Sequence, residues 1–231
     1  MNDRAAPFHD VRFPAESSAY RDARNDLLMA ERELRRQIEQ VAALRRTLPL
    51  GGRVPEDYVF DEAPRDQPKR QVRFSELFGE SPTLITYNFM FGPEDAAACP
   101  SCTSILDTLD GTFIHLTQRV PFVVIAKSPV DRIMGHAADR GWRRLRLLSS
   151  FGNGFNRDYR GENESRRQTP ALNVFVRRDG EIRHFYNTEL MFVSSDPGQD
   201  PRHVDSVWPL WNLLDVTPEG RGTDWRPKLR Y

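Results

Sequence analysis

Two cysteines are the residues of this 231-residue chain whose type and spacing point most directly to chemistry. Cys99 and Cys102 stand in "AAACPSCTSILDTLDG" (96–111), with two residues between them. Three interpretations fit such a pair: a dithiol that cycles with a disulfide, half of a metal site, or two inert thiols. In a reducing compartment a close pair is more often catalytic or metal-binding than a structural disulfide.

A metal site would need two or more further ligands. The chain has no second cysteine pair, and its histidines show no partner spacing: they are His9, His115, His136, His184 and His203. The sequence therefore predicts no metal and no cofactor beyond the redox-active dithiol itself. Dithiol chemistry is favoured, and two inert thiols are the alternative.

Composition excludes several other classes of protein. Lys+Arg and Asp+Glu both number 33, so the formal net charge is zero. General binding to nucleic acid or to an anionic membrane would need a basic excess, so neither is expected as a partner. The start, "MNDRAAPFHD", has no apolar leader segment, and the apolar runs are too short to span a bilayer. We expect a cytoplasmic protein.

Strand and helix patterns alternate after Gly52. Strands are predicted at 57–62, from 71, and at 83–91, 120–126 and 144–150, with a hairpin over 171–186; helices are predicted at 102–119, from 128 to about 140, and at 204–214. Alternation of this kind predicts parallel pairing, and the hairpin adds an antiparallel edge. The fold class is α/β: a thioredoxin-like central mixed sheet flanked by helices, with a long N-terminal helical arm.

The arm is predicted from a stretch without Gly or Pro between Ser17 and Leu48. Its apolar residues recur every seven positions: Tyr20, Leu27, Leu34, Val41 and Leu48. This spacing indicates an amphipathic helix with a coiled-coil-like stripe, which Ser17 or Ser18 caps. Either it folds back on its own domain or it forms a homodimer, which is the partner that we expect. The predicted domains are 1–52 for the arm and 53–231 for the thioredoxin-like part.

The cysteines lie just after a central strand and at the first turn of a helix. Cys99 takes the N-cap position and Pro100 the first helical position, where a missing N–H costs nothing. Unpaired amides and the helix dipole favour a thiolate on Cys99, and the spacing lets Cys102 close a disulfide. Strand, loop, Cys-x-x-Cys and helix in this order form the thioredoxin-like arrangement.

Thr169 and Pro170 stand immediately before the hairpin. Thioredoxin-like proteins carry a cis proline at that place, facing the dithiol, so we predict a cis Thr169–Pro170 bond; an ordinary strand-starting proline is the alternative. Backbone atoms of Thr169 would then pair with an extended substrate segment. With the residues between the cysteines, the predicted substrate-binding set is Pro100, Ser101, Thr169 and Pro170.

Other residues are weaker candidates. Asn88 shares a strand face with Thr86, and Tyr87 points the other way, so either face can bring a polar group to Cys102. Tyr87 and Asn88 are the possible supporting residues. Arg166 and Arg167, near Pro170, are candidates to contact an anionic substrate such as glutathione.

Several segments resemble a bacterial family of predicted dithiol–disulfide oxidoreductases, otherwise catalogued as a domain of unknown function: "YNFMFGPE" with "CPSC" (87–102), "DYVFDE", "SSFGNGFNRDY" (149–159) and "WNLLDVTPEGRG" (211–222). The resemblance implies a thioredoxin-like fold and a redox role for Cys99 and Cys102. The chain departs from the family pattern at Asn88, where a histidine is expected, and over 187–203. An asparagine cannot act as a base, but it can hold a loop by hydrogen bonds.

The sequence thus predicts a thiol–disulfide oxidoreductase in which Cys99 attacks and Cys102 resolves. Its partners would be a thiol or disulfide substrate, either protein or small molecule, and a cellular reductant. One alternative is a thiol-dependent peroxide reductase, although Ala96 stands where peroxiredoxins carry a threonine. The other is a non-catalytic thioredoxin-like module that acts through its helical arm.

Overall fold

The structure is a computed structural model that describes residues 9–231, in two compact units. One unit ends at Pro49 and the other runs from Leu50 to Tyr231. The first contains helix α1 (Ser18–Arg46), which begins where the Ser17 hydroxyl accepts a hydrogen bond from the Tyr20 N–H at 3.1 Å. The predicted helix and its cap are therefore confirmed.

The second unit is built on a mixed seven-stranded sheet in the order β2-β1-β5-β4-β3-β6-β7. The strands are β1 (Val59–Glu62), β2 (Arg70–Arg73), β3 (Thr83–Phe89), β4 (Phe122–Ala126), β5 (Leu147–Ser149), β6 (Ala171–Arg178) and β7 (Glu181–Asn187). Strand β4 pairs in parallel with β3 and β5, and all other pairings are antiparallel.

Helices cover the sheet. They are α2 (Pro100–Leu116), α3 (Val130–Arg140), α4 (Phe155–Asp158) and α5 (Pro209–Leu214), with 3₁₀ turns at Phe74–Phe78, Glu189–Phe192 and Asp205–Val207. The succession β3-α2-β4, followed by the hairpin β6–β7 beside β3, is the thioredoxin-like arrangement, so the predicted fold class is confirmed. Pro209 opens α5 and does not kink it.

Strand β4 shows how the sheet separates two apolar layers. All five of its residues are buried, as its continuous apolar run predicts. Val124 belongs to the cluster that contains Cys102, Ile105 of α2 and Trp211 of α5. Its neighbour Val123 belongs to the opposite cluster of phenylalanines from the 3₁₀ turn, α4 and β6. Because successive side chains of β4 point to opposite faces of the sheet, this one strand contributes to both apolar clusters.

The hairpin β6–β7 turns at Asp179 and Gly180, whose φ angles are 52° and 77°. Both values lie in the left-handed region that two-residue hairpin turns require, and the predicted hairpin is confirmed. Within residues 9–231, no helix has the length and apolar character needed to cross a membrane.

Candidate active site

The loop after β3 places Cys99 at the N-cap of α2 and Pro100 at its first helical position, as predicted. The Cys99 N–H donates to the Met90 carbonyl at 3.0 Å. The Cys99 carbonyl accepts from both the N–H and the hydroxyl of Thr103, each at 2.9 Å. Because its backbone is held on both sides, the Cys99 side chain has a defined position at the helix N-terminus.

The Cys99 thiol is half-buried, and its surroundings favour the thiolate. Hydrogen bonding from the Cys102 side chain is the main cause that lowers the pKa of Cys99 to about 6, and the backbone N–H groups of Cys102 and Ser101 add to it. Burial and the Asp95 carboxylate act in the opposite direction. Cys99 is thus largely ionised at neutral pH, as an attacking thiol needs to be.

Cys102 has the opposite character. It is 1% exposed, and the neighbouring Cys99 together with burial raises the pKa of Cys102 well above its usual value. The pair therefore consists of one thiolate near the surface and one protonated thiol behind it. The two thiols therefore differ in both exposure and protonation.

Tyr87 lies behind the cysteines. Its ring is fully buried, and burial, with the charge of Cys102, raises the pKa of the Tyr87 hydroxyl well above its usual value. The hydroxyl interacts with Cys102 but has no hydrogen bond of ordinary geometry within the described part of the chain. Of the two faces of β3, the Tyr87 face is therefore the one at the thiols.

Asn88 lies on the other face of β3 and does not reach the thiols. Its amide nitrogen donates to the Gly161 carbonyl at 3.0 Å and to the Thr169 carbonyl at 2.5 Å. A Cβ at Gly161 would lie 2.4 Å from the Asn88 amide, so only glycine fits there. Asn88 holds the loop before β6 in place, which is a structural role and not that of a base.

The prediction of a cis bond at Thr169–Pro170 is wrong: no peptide bond among residues 9–231 is cis. The trans isomer is intrinsically preferred by roughly 0.5–1 kcal/mol at such bonds. The loop satisfies Thr169 in this form, because the Thr169 N–H donates to the Gly161 carbonyl at 3.0 Å and its hydroxyl donates to the Arg160 carbonyl.

The backbone groups of Thr169 that were predicted to pair with an extended substrate have partners within the chain. The Thr169 N–H is bound to Gly161, and its carbonyl accepts from Asn88. Both groups that a substrate backbone would use are therefore occupied within the chain. Thr169 and Pro170 nevertheless line the same cavity as the cysteines.

This cavity, the thiol cavity, has a volume of about 430 Å³. It brings together six of the predicted residues: Tyr87, Cys99, Ser101, Cys102, Thr169 and Pro170. Pro100 is exposed at the helix start and does not line it, and Asn88 lies on the opposite sheet face. Of the two candidate arginines, Arg167 lines the thiol cavity, whereas Arg166 lines a separate cleft.

The segment after the hairpin supplies cavity residues that the sequence did not predict. Trp208 and Trp211 line the cavity, with ring centroids 5.1 Å apart. The Trp208 indole N–H donates to the Ser104 hydroxyl of α2 at 3.2 Å, which ties the C-terminal segment to the cysteine helix. No local pattern in the sequence indicated that these tryptophans would line a cavity with the cysteines.

His203 is a further lining residue that the sequence did not assign to the site. Its Nε2 atom is buried and has no hydrogen-bond partner in the described part of the protein. Burial lowers the pKa of His203, and the charge of Asp205 partly opposes this. The ring is therefore neutral at neutral pH.

Four arginines and two aspartates also line the thiol cavity. Arg202 and Arg221 both pair with Asp205 and Asp215, and Arg226 pairs with Asp200 at 2.6 Å. Arg167 is in none of these ion pairs and has no carboxylate partner among the residues that the structure describes. Over residues 9–231, no three His, Cys, Asp or Glu side chains converge as a metal site would require.

Comparison with known proteins gives one family. The profile described as "Bacterial protein of unknown function (DUF899)" matches residues 11–231. No curated protein matches the chain.

Among solved structures, the chain is similar to thioredoxin peroxidase I of Plasmodium yoelii, at 14% identity and TM-score 0.43 over 78% of this chain and 100% of that one. It is similar to peroxidoxin BcpB from Mycobacterium tuberculosis, at 17% identity and TM-score 0.41 over 72% and 98%. It is also similar to PrxQ from Xylella fastidiosa, at 12% identity and TM-score 0.42 over 72% and 96%. Similarities at this level carry no conclusion about the reaction.

Proposed function

The chain belongs to the bacterial family DUF899, and for this member we propose dithiol–disulfide exchange at Cys99 and Cys102. One observation supports the proposal above all: a half-buried cysteine with a lowered pKa stands at a helix N-cap beside a buried, protonated partner. The pair opens into a cavity large enough for a ligand.

The reaction balances in two steps. The Cys99 thiolate attacks one sulfur of a substrate disulfide, RS–SR, to form Cys99–S–SR and release RS⁻, which takes up a proton. Cys102 then loses its proton and attacks the Cys99 sulfur, which forms the Cys99–Cys102 disulfide and releases the second RS⁻. The substrate disulfide gains two electrons and the protein dithiol loses them. A cellular dithiol reductant reverses the change.

In the reduced pair, Cys99 and burial raise the pKa of Cys102. Once Cys99 is a neutral mixed disulfide, burial still disfavours the Cys102 thiolate, so the second step needs a proton acceptor. We assign this role to His203. It lines the same cavity, its ring is neutral, and its buried Nε2 is unpartnered within residues 9–231. In this proposal the acceptor comes from the segment after the hairpin.

Peroxide reduction by the same thiols is the nearest alternative. A thiolate can attack peroxide, and Cys102 can resolve the sulfenic acid that forms. Ala96, however, is exposed and supplies no hydroxyl to position the peroxide. We therefore propose disulfide exchange in preference to peroxide reduction, and hydrogen peroxide serves as the comparison substrate in the experiment that tests the reaction.

The helix α1 is proposed as a homodimer contact. In the single chain its apolar side chains are exposed at seven-residue spacing, Leu27 and Leu34 among them. Pairing with a second copy would bury this stripe. The cytoplasm is the proposed location, since dithiol chemistry of this kind operates where thiols are kept reduced.

The experiment that tests the reaction is the pH dependence of iodoacetamide alkylation of the reduced protein, mapped to each cysteine. We expect Cys99 to react with a midpoint well below the ~8.5 of a free thiol, while Cys102 reacts slowly. The same protein should reduce a low-molecular-weight disulfide faster than it consumes hydrogen peroxide. Two slow thiols with unshifted midpoints would overturn the proposal.

A further inference from the structure

The chain itself occupies the place where a peptide substrate would pair. Both backbone groups of Thr169 are hydrogen-bonded, the N–H to Gly161 and the carbonyl to Asn88. The loop that does this is tied further by a bridge between Glu162 and Gln168. An extended peptide would have to break the bond of the Thr169 N–H and share the Thr169 carbonyl with Asn88 before its own backbone could pair beside the cysteines. The site is therefore poorly suited to strand addition.

The thiol cavity has the size and lining of a small-molecule site. Its volume of about 430 Å³ lies in the usual range for such ligands. Apolar and aromatic side chains line much of it: Met90, Ile105, Met191, Trp208 and Trp211. These surfaces favour an apolar body of a few carbon atoms or one ring, placed next to the Cys99 sulfur.

The charges around the cavity favour an anion. Arginines outnumber aspartates among its lining residues, and three of the four arginines have carboxylate partners. Arg167 is exposed, lines the cavity beside Thr169 and has no such partner among the described residues. Its guanidinium is available to bind a carboxylate or sulfonate of a bound molecule.

We infer that the substrate of the proposed exchange reaction is a low-molecular-weight disulfide with an apolar body and an anionic group, held in the thiol cavity, and not an extended peptide. The inference rests on the proposed function, since Cys99 must attack that disulfide. The apolar body lies against Met191 and the tryptophans, and the anionic group lies at Arg167.

Thiosulfonates test this inference, because their reacting group is constant and only the attached group varies. Attack by the Cys99 thiolate on R–S–SO₂CH₃ forms Cys99–S–S–R and releases methanesulfinate. The probes are benzyl, 2-sulfonatoethyl and 2-(trimethylammonio)ethyl methanethiosulfonate, and each rate is divided by the rate with glutathione. We expect the benzyl and sulfonatoethyl reagents to exceed the cationic reagent at least tenfold.

Two pairs of variants locate the preferences. Arg167→Gln should lower the ratio of the sulfonatoethyl to the cationic rate at least threefold, whereas Arg166→Gln, which changes the neighbouring arginine outside the cavity, should leave it unchanged. Met191→Gln should lower the benzyl preference. Leu190→Gln changes an exposed residue of the same 3₁₀ turn and should leave the benzyl preference unchanged.

The outcomes separate this inference from the function on which it rests. The substrate class would be overturned if the three thiosulfonates reacted with the protein in the same ratio as they react with glutathione. Faster reduction of insulin disulfides than of a small aromatic disulfide would also overturn it. Either result would leave the exchange reaction intact. A Cys99 that reacts slowly with iodoacetamide as well would overturn the exchange reaction, and the substrate class with it.

Discussion

The amide of Asn88 in β3 donates to the carbonyl of Thr169, a residue 81 positions later in the chain, at 2.5 Å. The same nitrogen donates to the Gly161 carbonyl, so one side chain fastens both ends of the loop that leads into β6. The bond from Asn88 uses the carbonyl of Thr169, the residue that precedes Pro170. Asn88, the residue at which the chain departs from the family pattern, is thus the one that holds the Thr169 carbonyl in a hydrogen bond within the chain.

Asn88→Ala should lower the free energy of unfolding by about 1–3 kcal/mol, because the Thr169 carbonyl loses its donor and the Gly161 carbonyl keeps only the Thr169 N–H. Gly161→Ala should cost a similar amount, roughly 1–3 kcal/mol, because its Cβ overlaps the Asn88 amide. In the double variant the overlap is gone, so the two losses should not add. Denaturant unfolding of the four proteins measures this, and strict additivity would contradict it.

Cys102→Ala should raise the midpoint of Cys99 alkylation by one pH unit or more. The Cys102 side chain is the main cause of the lowered pKa of Cys99. Ser101→Ala is the matched control, because Ser101 contributes through its backbone N–H, which alanine retains. If the alkylation midpoint of Cys99 is unchanged in the Cys102→Ala variant, the helix N-terminus alone accounts for the lowered pKa of Cys99.

The reduced protein should gain stability as the pH rises from 6 towards 8.5. Hydrogen bonding from Cys102 holds the pKa of Cys99 at about 6 in the folded state, below the ~8.5 of the unfolded chain, so the folded state ionises first. The gain is about 1–2 kcal/mol by pH 7.5, and it is lost as the pH falls through 6.

Above pH 8.5 the trend should reverse, since Cys99 and burial keep the pKa of Cys102 raised in the folded state. Urea unfolding at a series of pH values measures both slopes. Cys99→Ser is the control, and a rise between pH 6 and 8.5 that persisted in this variant would contradict the assignment.

His203→Asn should slow closure of the Cys99–Cys102 disulfide at least tenfold at pH 7, while the alkylation of Cys99 keeps its midpoint. The reason is that only the second step requires Cys102 to lose a proton. Stopped-flow measurement of the second thiol released separates the two steps. His115→Asn, an exposed histidine on α2, is the control, and equal rates in both variants would remove His203 from the reaction.

Leu34→Glu in α1 should shift the protein from dimer to monomer in sedimentation velocity. Leu34 is exposed in the single chain and lies at the middle of the seven-residue repeat. Arg35→Glu is the control. It introduces a glutamate at the next residue, which lies outside the seven-residue apolar repeat, and should leave the dimer intact. A monomeric wild type would assign α1 some other role.

The sequence alone determined what depends on neighbours a few residues apart. The N-cap position of Cys99 and the helical start at Pro100 follow from local geometry. The same is true of the buried run of β4 and the turn at Asp179 and Gly180. Such features depend on side-chain period, caps and allowed φ angles, which a short stretch of chain carries with it.

Only the tertiary structure decided what fills the space around the thiols. The trans bond at Thr169 depends on a loop that Asn88 anchors from another strand, and the sequence-based expectation from the fold was therefore wrong there. His203 and Arg167 reach the cavity from two further segments. Contacts between segments so far apart depend on how the sheet and helices pack, and no local period or spacing specifies them.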